Sequence, residues 1–366
     1  MKELLWGSKS DAEGAEEPEG PEVAAFAPYD PFAPPVPSGA LDLRGYIQIL
    51  ADARYLTQVR ERVDWKHGIG RWTRSRQKPL LFENVKDYPG QRVFTNGLND
   101  PVCVAMALGF HAGLPHARVI AQARKRLRDS IAPRMVQTGP VMENVVPSMM
   151  IDLLQFPVPQ WNEKDAGRFI GTWHLNVSKD PDTGLRSEGM YRMKVMGPKQ
   201  ATIAAPRRSD LARHVARAEE KRAELPVAVA IGAPEATVIA AGAACPPGMD
   251  AFDLAGAWQQ KPVELIECGH LEVPAYSEIV IEGFIHPGVR VEDGPWFDYQ
   301  GKPHSNAKAF LFEATRVMHR DDPIFRGSVS GKPGGENYQV QEFLSQLRLL
   351  ESQRSRLKQL VHSLFS

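Results

Sequence analysis

A chain of 366 residues, 43% hydrophobic and 24% charged, has enough apolar material for two packed units rather than one. Lys+Arg and Asp+Glu each total 44, so the formal charge is zero and no global field draws the chain to nucleic acid or an anionic membrane surface. No apolar run approaches the ~18–20 residues that span a bilayer, the N-terminus lacks the apolar stretch of a signal peptide, and three scattered cysteines without a CxxC pair fit a reducing, cytoplasmic setting and argue against a disulfide framework or a cysteine-based zinc site.

Residues 1–40 are rich in Ala, Glu and Pro and read as a disordered or draped tail. Order begins at Asp42, which caps a helix whose apolar residues Leu43, Tyr46, Ile47 and Leu50 recur at helical spacing. Pro79 to Val85 reads as a buried strand and Tyr88-Pro89-Gly90 as a turn. Asp100-Pro101 opens a helix over 102–108, with Pro at its first position. His116 to Leu127 is a basic amphipathic helix, best taken as a solvated face. Together these make an N-terminal α/β domain over 41–145.

A Pro-rich extended crossing at 150–165 leads into a region dense in strand patterns, 146–335. Ile170 to Val177 alternates as a strand, Asp180-Pro181-Asp182-Thr183-Gly184 has hairpin-turn chemistry, and Met190 to Val195 is the predicted return strand. Ser209 caps a helix reaching about Glu224, Val227 to Ile231 is a strand, and Glu235 to Ala244 is a helix of small residues. Val263 to Val273, Glu278 to Ile285 and Ala309 to His319 read as long strands, a density that fits a barrel. Leucines recur near helical spacing over 340–366, predicting a C-terminal helical tail, 336–366, that needs a partner surface.

The richest stretch chemically is Asp293-Gly294-Pro295-Trp296-Phe297-Asp298, two carboxylates flanking a Gly-Pro corner, with Arg192 about a hundred residues earlier in Gly189-Met190-Tyr191-Arg192. An Arg beside two acids holds one ionised and leaves the other to exchange a proton near neutral pH. The competing reading makes Asp293 and Asp298 plain turn-formers and Arg192 an ordinary surface partner. His67, His270, His304 and His319 show no metal-ligand spacing. Lys332-Pro333-Gly334-Gly335 lacks the phosphate-loop pattern, and no GxGxxG or nucleophile elbow is present.

The order of these phrases resembles the UbiD family of decarboxylases, which use prenylated flavin mononucleotide (prenylated FMN). The segments that carry the resemblance are Pro79-Leu-Leu-Phe-Glu-Asn-Val-Lys-Asp-Tyr-Pro, Gly167-Arg-Phe-Ile-Gly-Thr, Lys179-Asp-Pro-Asp-Thr-Gly, Gly189-Met-Tyr-Arg-Met, Val227-Ala-Val-Ala-Ile-Gly-Ala-Pro-Glu, Val273-Pro-Ala-Tyr-Ser-Glu and Pro323-Ile-Phe-Arg-Gly, collinear from about 41 to 335. The resemblance implies an α/β (α+β) fold: an N-terminal α/β domain, a central split β-barrel of flavin-reductase type that binds the flavin, and a C-terminal part that mediates dimers or pairing with a homologous subunit. It implies a carboxylic acid substrate, unsaturated or aromatic. It also implies roles: Arg192 as carboxylate clamp, Asp293 as the acid that orients Arg192, Asp298 as proton donor. Thr172, Trp173 and His174 fall where the family's strand passes the flavin.

The departures fall on the family's divalent-metal and potassium site beside the flavin phosphate. Its Asn ligand corresponds to Ser187, its His to Arg208 (or, with a shifted gap, His214), and its Glu to Ala251 in Gly248-Met249-Asp250-Ala251. Ala has no donor, and hard divalent cations want several oxygens. This makes Mn, Mg and K doubtful and gives Arg208 as a direct phosphate contact. The leucine-rich ending replaces the family's longer C-terminal region and its flavin-reaching Lys. Two expectations follow: a decarboxylase working through Arg192, Asp293 and Asp298, and, as its rival, a catalytically silent subunit or scaffold without the metal and flavin site.

Overall fold

The computed structural model describes residues 42–243, 245, 249–297, 302–329 and 334–348. The expected tail at 1–40, Asp298, the Gly331-Lys332-Pro333 phrase and the leucines beyond 348 lie outside the described residues.

Helix α1, Leu43–Asp52, starts where Asp42 accepts a hydrogen bond from the Gly45 N–H at 2.8 Å, and buries Leu43, Tyr46, Ile47 and Leu50. Such a cap stabilises a helix by about 1 kcal/mol. Strand β1, Thr57–Val59, is followed by α2, Gly68–Ser75, by β2, Leu80–Phe82, and by β3, Arg92–Thr95. Helix α3, Pro101–Ala107, is capped by Asp100, and α4, His116–Arg126, turns Val119, Ile120 and Ala123 inward. Then come β4, Arg134–Met135, and β5, Asn144–Pro147.

The central region runs β6, Phe169–Gly171; β7, His174–Lys179; β8, Arg186–Gly189; β9, Met193–Lys194; β10, Gln200–Ile203; α5, Asp210–Glu220; β11, Leu225–Ile231; α6, Glu235–Ala241; α7, Ala251–Gln259; β12, Glu264–Cys268; and β13, Leu271–Pro274. Two long strands close it, β14, Ile279–Phe297, and β15, Pro303–His319, before β16, Ile324–Arg326. Helix α8 begins at Glu336 and is described to Arg348.

Six strands pair antiparallel in the order β10-β15-β14-β11-β7-β8, with β5 as a seventh on β15, and this sheet curls into a half-barrel. β11 at its centre is buried along almost its whole length, so it reads as a continuous Val/Ala/Ile run rather than an alternation. Strands β1-β2-β3-β16 form a second sheet, in which β16 returns to lie parallel to β3. One apolar core joins α1, α3, α4, α6, α7 and α8 to the half-barrel's outer side. The other fills the half-barrel and packs it on β1 to β3.

Three local expectations change. The strand that returns from the Gly184 turn (φ +71°) is β8, Arg186–Gly189, not Met190 to Val195. Val263 to Val273 is a hairpin, β12/β13, broken at Gly269 with φ +59°. Asp293-Gly294-Pro295-Trp296 lies inside β14, with a cis Gly294–Pro295 bond, rather than in a connecting turn.

Candidate functional site

The outer mouth of β7 and β8 opens into a cavity of about 750 Å³, within the range of pockets that take a small molecule or cofactor. Its walls come from β8 and the residues after it, the first turns of α5 and α7, the end of α6, and α8. The alternation of β8 sets its chemistry: successive side chains point to opposite faces, and Arg186 and Glu188 share one face.

Arg186 is held by three acids. Its Nε donates to Glu188 Oε1 at 2.9 Å, its Nη1 to Glu272 Oε2 at 2.9 Å, and its Nη2 to Asp250. Its plane also lies 4.8 Å from the Phe252 ring. Glu188 in turn accepts the Ala251 N–H at 3.2 Å, and Lys179 pairs with Glu272. Burial, reinforced by the neighbouring Asp250 charge, pushes the Glu188 carboxyl up to about 7 against the pull of Arg186. Asp250 also caps α7, reciprocally with Asp253.

On the facing wall Ser187 donates to Asp210 Oδ2 at 3.1 Å, and Asp210 pairs with Arg213. His214 Nδ1 meets the Ser178 hydroxyl at 2.9 Å, and burial pushes its imidazole below the usual range. Trp173 backs the cavity and donates from Nε1 to Glu235 at 2.9 Å. Behind it Arg326, fully buried, joins Glu235 at 2.7 Å to Glu336, the first residue of α8. Glu336 also accepts the N–H groups of Asn96 and Leu98 at 2.9 and 3.1 Å.

A second polar cluster lies at the far end of β14. Arg192 stacks between two rings, Phe169 at 5.1 Å and Trp296 at 4.9 Å, and Trp296 stacks in turn on His304 at 5.0 Å. Arg192 Nη2 reaches the Phe297 carbonyl at 3.4 Å. Asp293 is fully buried, with Lys194 Nζ 3.6 Å from Oδ1 and neither carboxylate oxygen in hydrogen-bond geometry among the described residues. Burial pushes its carboxyl above the ordinary range, although Lys194, Thr202, the Gly294 N–H and Arg192 all pull it down. Asp165, buried nearby, is likewise pushed up by burial and feels the Arg192 charge.

The fold therefore places the predicted residues in two groups. Trp173 and Ser187 line the cavity; Arg192 and Asp293 come together at the end of β14 and are not in its lining. Thr172 is buried and its hydroxyl accepts the Ser328 N–H at 3.0 Å. His174 is buried on β7, its Nε2 donating to Asn176 Oδ1 at 2.9 Å; that oxygen already accepts the Tyr191 N–H, which fixes the donor. Burial pushes His174 down to about 4. Arg208 is exposed and outside the cavity lining, where Arg186, Arg213 and His214 stand instead. Sequence reasoning missed Arg186, Glu188 and Lys194; the Arg-x-Glu alternation on a strand was the available signal for the first two.

A half-barrel that flanks a cavity of cofactor size, with a buried acid on its longest strand and an arginine close to it, defines a small-molecule-binding α/β architecture. Residues 134–333 match the 3-octaprenyl-4-hydroxybenzoate carboxy-lyase Rift-related domain, and residues 47–124 match the N-terminal domain of the same carboxy-lyase. The chain belongs to the UbiD family. It is 34% identical over 332 residues to a pyrrole-2-carboxylic acid decarboxylase of Pseudomonas aeruginosa, covering 85% of this chain and 66% of that protein. Among solved structures it is similar to an evolved dimeric form of the UbiD-class enzyme HmfF of Pelotomaculum thermopropionicum in complex with prFMN, at TM-score 0.79 and 29% identity over 86% of this chain and 73% of that one. It is also similar to a vanillic acid decarboxylase of Sedimentibacter hydroxybenzoicus, at TM-score 0.79 and 26% identity over 82% and 67%. The chain spans 60 to 66% of the length of the curated relatives it matches.

The cavity fits a flavin mononucleotide in size and in being walled by an aromatic ring, small residues and polar groups. The family's metal does not fit. Of its three ligand positions, Ala251 offers no donor and Ser187 spends its hydroxyl on Asp210, which leaves His214, hydrogen-bonded to Ser178 through Nδ1, as a single imidazole where a hard divalent ion wants several oxygens. Among the described residues no group of three or more His, Cys, Asp or Glu side chains is placed to hold a metal ion. Among those residues no helix is long and apolar enough to cross a membrane.

Proposed function

We propose that the chain is a carboxy-lyase that removes carbon dioxide from an unsaturated or aromatic carboxylic acid, with prenylated FMN held against Trp173, Ser187 and Tyr191. The observation that carries this reading is the cluster at the end of β14: a ring-stacked Arg192 beside a fully buried Asp293 whose carboxyl burial raises above its ordinary range, with Lys194 Nζ 3.6 Å away. A buried acid with a raised pKa beside a fixed cation is the kind of group that active sites use for proton exchange. Family membership across both the cavity and this cluster supports the same assignment.

In this reading Arg192 grips the substrate carboxylate through paired N–H donors, and its stacking on Phe169 and Trp296 sets the plane of that grip. Asp293 keeps the guanidinium oriented, and Lys194 keeps Asp293 from drifting toward the neutral form. The bond between the carboxylate carbon and its neighbour breaks, carbon dioxide leaves, and Asp298 delivers a proton to the carbon left behind. The bound flavin supplies the electron sink for that bond cleavage.

The test is to co-express the chain with a flavin prenyltransferase and assay carbon dioxide release from pyrrole-2-carboxylate and a panel of aromatic and unsaturated acids. Release that disappears in Asp298→Asn and Arg192→Ala is the expected result; a colourless protein that releases none from any acid would defeat the proposal. The missing metal donors at Ser187 and Ala251 favour a second reading, a silent subunit that pairs with an active homologue. Co-purification with a longer UbiD-type chain, without bound flavin, would establish that one. Under either reading we propose at least a dimer: Met142, Val145, Met149 and Met150 stand exposed along one stretch, the kind of apolar surface that subunit contacts cover. Met149→Glu should then give monomer in sedimentation velocity.

A further inference from the structure

The metal-ligand positions do not simply go empty in this chain. At the same corner of the cavity stands Arg186, surrounded as a divalent ion would be: by Glu188, Asp250 and Glu272, one oxygen from each, with the Phe252 ring below. Asp250 is the residue immediately before Ala251, where the family's acidic ligand falls, and Glu188 immediately follows Ser187, where its Asn falls. Each acid is displaced by one residue from a family ligand position. Each is turned onto the guanidinium, and Glu188 also accepts the Ala251 N–H.

We infer that Arg186 is a built-in cation that takes the place of the divalent ion, so that this cavity binds an anionic ligand without metal. A guanidinium has five N–H donors in a rigid fork, three are spent on Glu188, Asp250 and Glu272, and the remaining two belong to a group that lines the cavity. Its charge cannot be removed near neutral pH, and it is tethered, so it cannot be lost to a chelator. A hydrated metal entering this corner would meet a fixed positive charge within contact distance of every carboxylate it needs. The inference takes from the proposed function only that the cavity is the family's nucleotide pocket; its test requires neither flavin turnover nor a substrate.

The experiment measures metal directly. Wild-type protein purified without chelator should carry far less than one Mn or Mg per chain by elemental analysis, and its melting temperature should not move on adding MnCl2 or MgCl2. Arg186→Ala should free the three acids and create the site the wild type lacks. Millimolar MnCl2 should then raise its melting temperature by roughly 5 °C, and the gain should vanish in Arg186→Ala combined with Glu188→Gln. Arg186→Met, which keeps the apolar stem over Phe252, repeats the test if the alanine variant folds poorly. FMN, used as the probe ligand, should quench to the same extent with and without EDTA. Stoichiometric metal in the wild type, a manganese-dependent rise in its melting temperature, FMN binding abolished by EDTA, or no metal response in either Arg186 variant would each overturn the inference.

Discussion

Arg186 on β8 and Arg192, just before β9, lie six residues apart and are held in opposite ways. Arg186 is gripped at its edge by three carboxylates, with the Phe252 ring against one face. Arg192 is gripped on its faces by Phe169 and Trp296. Edge pairing turns the Arg186 N–H donors onto protein carboxylates, whereas stacking fixes the plane of the Arg192 guanidinium, one of whose N–H groups reaches the Phe297 carbonyl. The first arrangement makes a structural cation; the second makes an oriented clamp for a carboxylate, with Asp293 beside it.

The largest expected effect tests the clamp. Arg192→Ala should lower carbon dioxide release by about 10²–10³-fold, as for removal of one preorganised donor, while a urea melt shifts by no more than about 1 kcal/mol, the worth of a cation–π contact. A collapse of stability with activity per folded molecule preserved would place Arg192 with Arg186. Arg186→Met should do the reverse: two of its acid partners, Glu188 and Asp250, are largely buried, and stranding them should cost about 3 kcal/mol in the same melt.

His174 gives the next effect. Burial holds it down to about 4, from an ordinary 6.5. A depressed imidazole adds stability that is complete above 6.5 and is lost as pH falls toward 4, because the unfolded chain takes up a proton the native one refuses. Between pH 7 and pH 5 this amounts to about 2 kcal/mol. Urea midpoints at the two pH values should show that loss in the wild type and not in His174→Gln. Asp293 carries the opposite sign: its carboxyl is raised, so its contribution is complete at low pH and lost as pH rises past the ordinary carboxylate range. Asp293→Asn should therefore gain on the wild type toward neutral pH. The smallest effect belongs to exposed Arg208, where Arg208→Ala should change stability by no more than about 0.5 kcal/mol and leave FMN quenching unaltered.

Where one element carries its own signal, the sequence was legible. Asp42, Asp100-Pro101 and Ser209 each mark a helix start that the structure keeps. β11 is legible because it is buried on both faces and reads as an unbroken apolar run. β8 was not, because Arg186-Ser187-Glu188 looks like a polar loop until Glu272 and Asp250, 86 and 64 residues away, are brought to it. α7 escaped for the opposite reason: it is buried almost all round and has no polar face to reveal a period. Its Gly256 lies so close to the Ile131 carbonyl that a Cβ would come within 2.4 Å, a contact only the tertiary structure shows. The resemblance gave Arg192 and Asp293 by register, but nothing linear shows that they stand apart from the cavity wall, or that Lys194, two residues on, faces the same acid.

Glu336 is where α8 is fastened, its carboxylate clasped by Arg326 and by the amides of Asn96 and Leu98. The three α8 residues that roof the cavity, Asn337, Val340 and Gln341, all follow within five positions of that anchor. A rod clamped at one end moves least near the clamp, so the roof is the stiffest part of the helix. Whatever docks on or pulls at its later turns meets the compliant end and leaves the shape of the chamber nearly untouched.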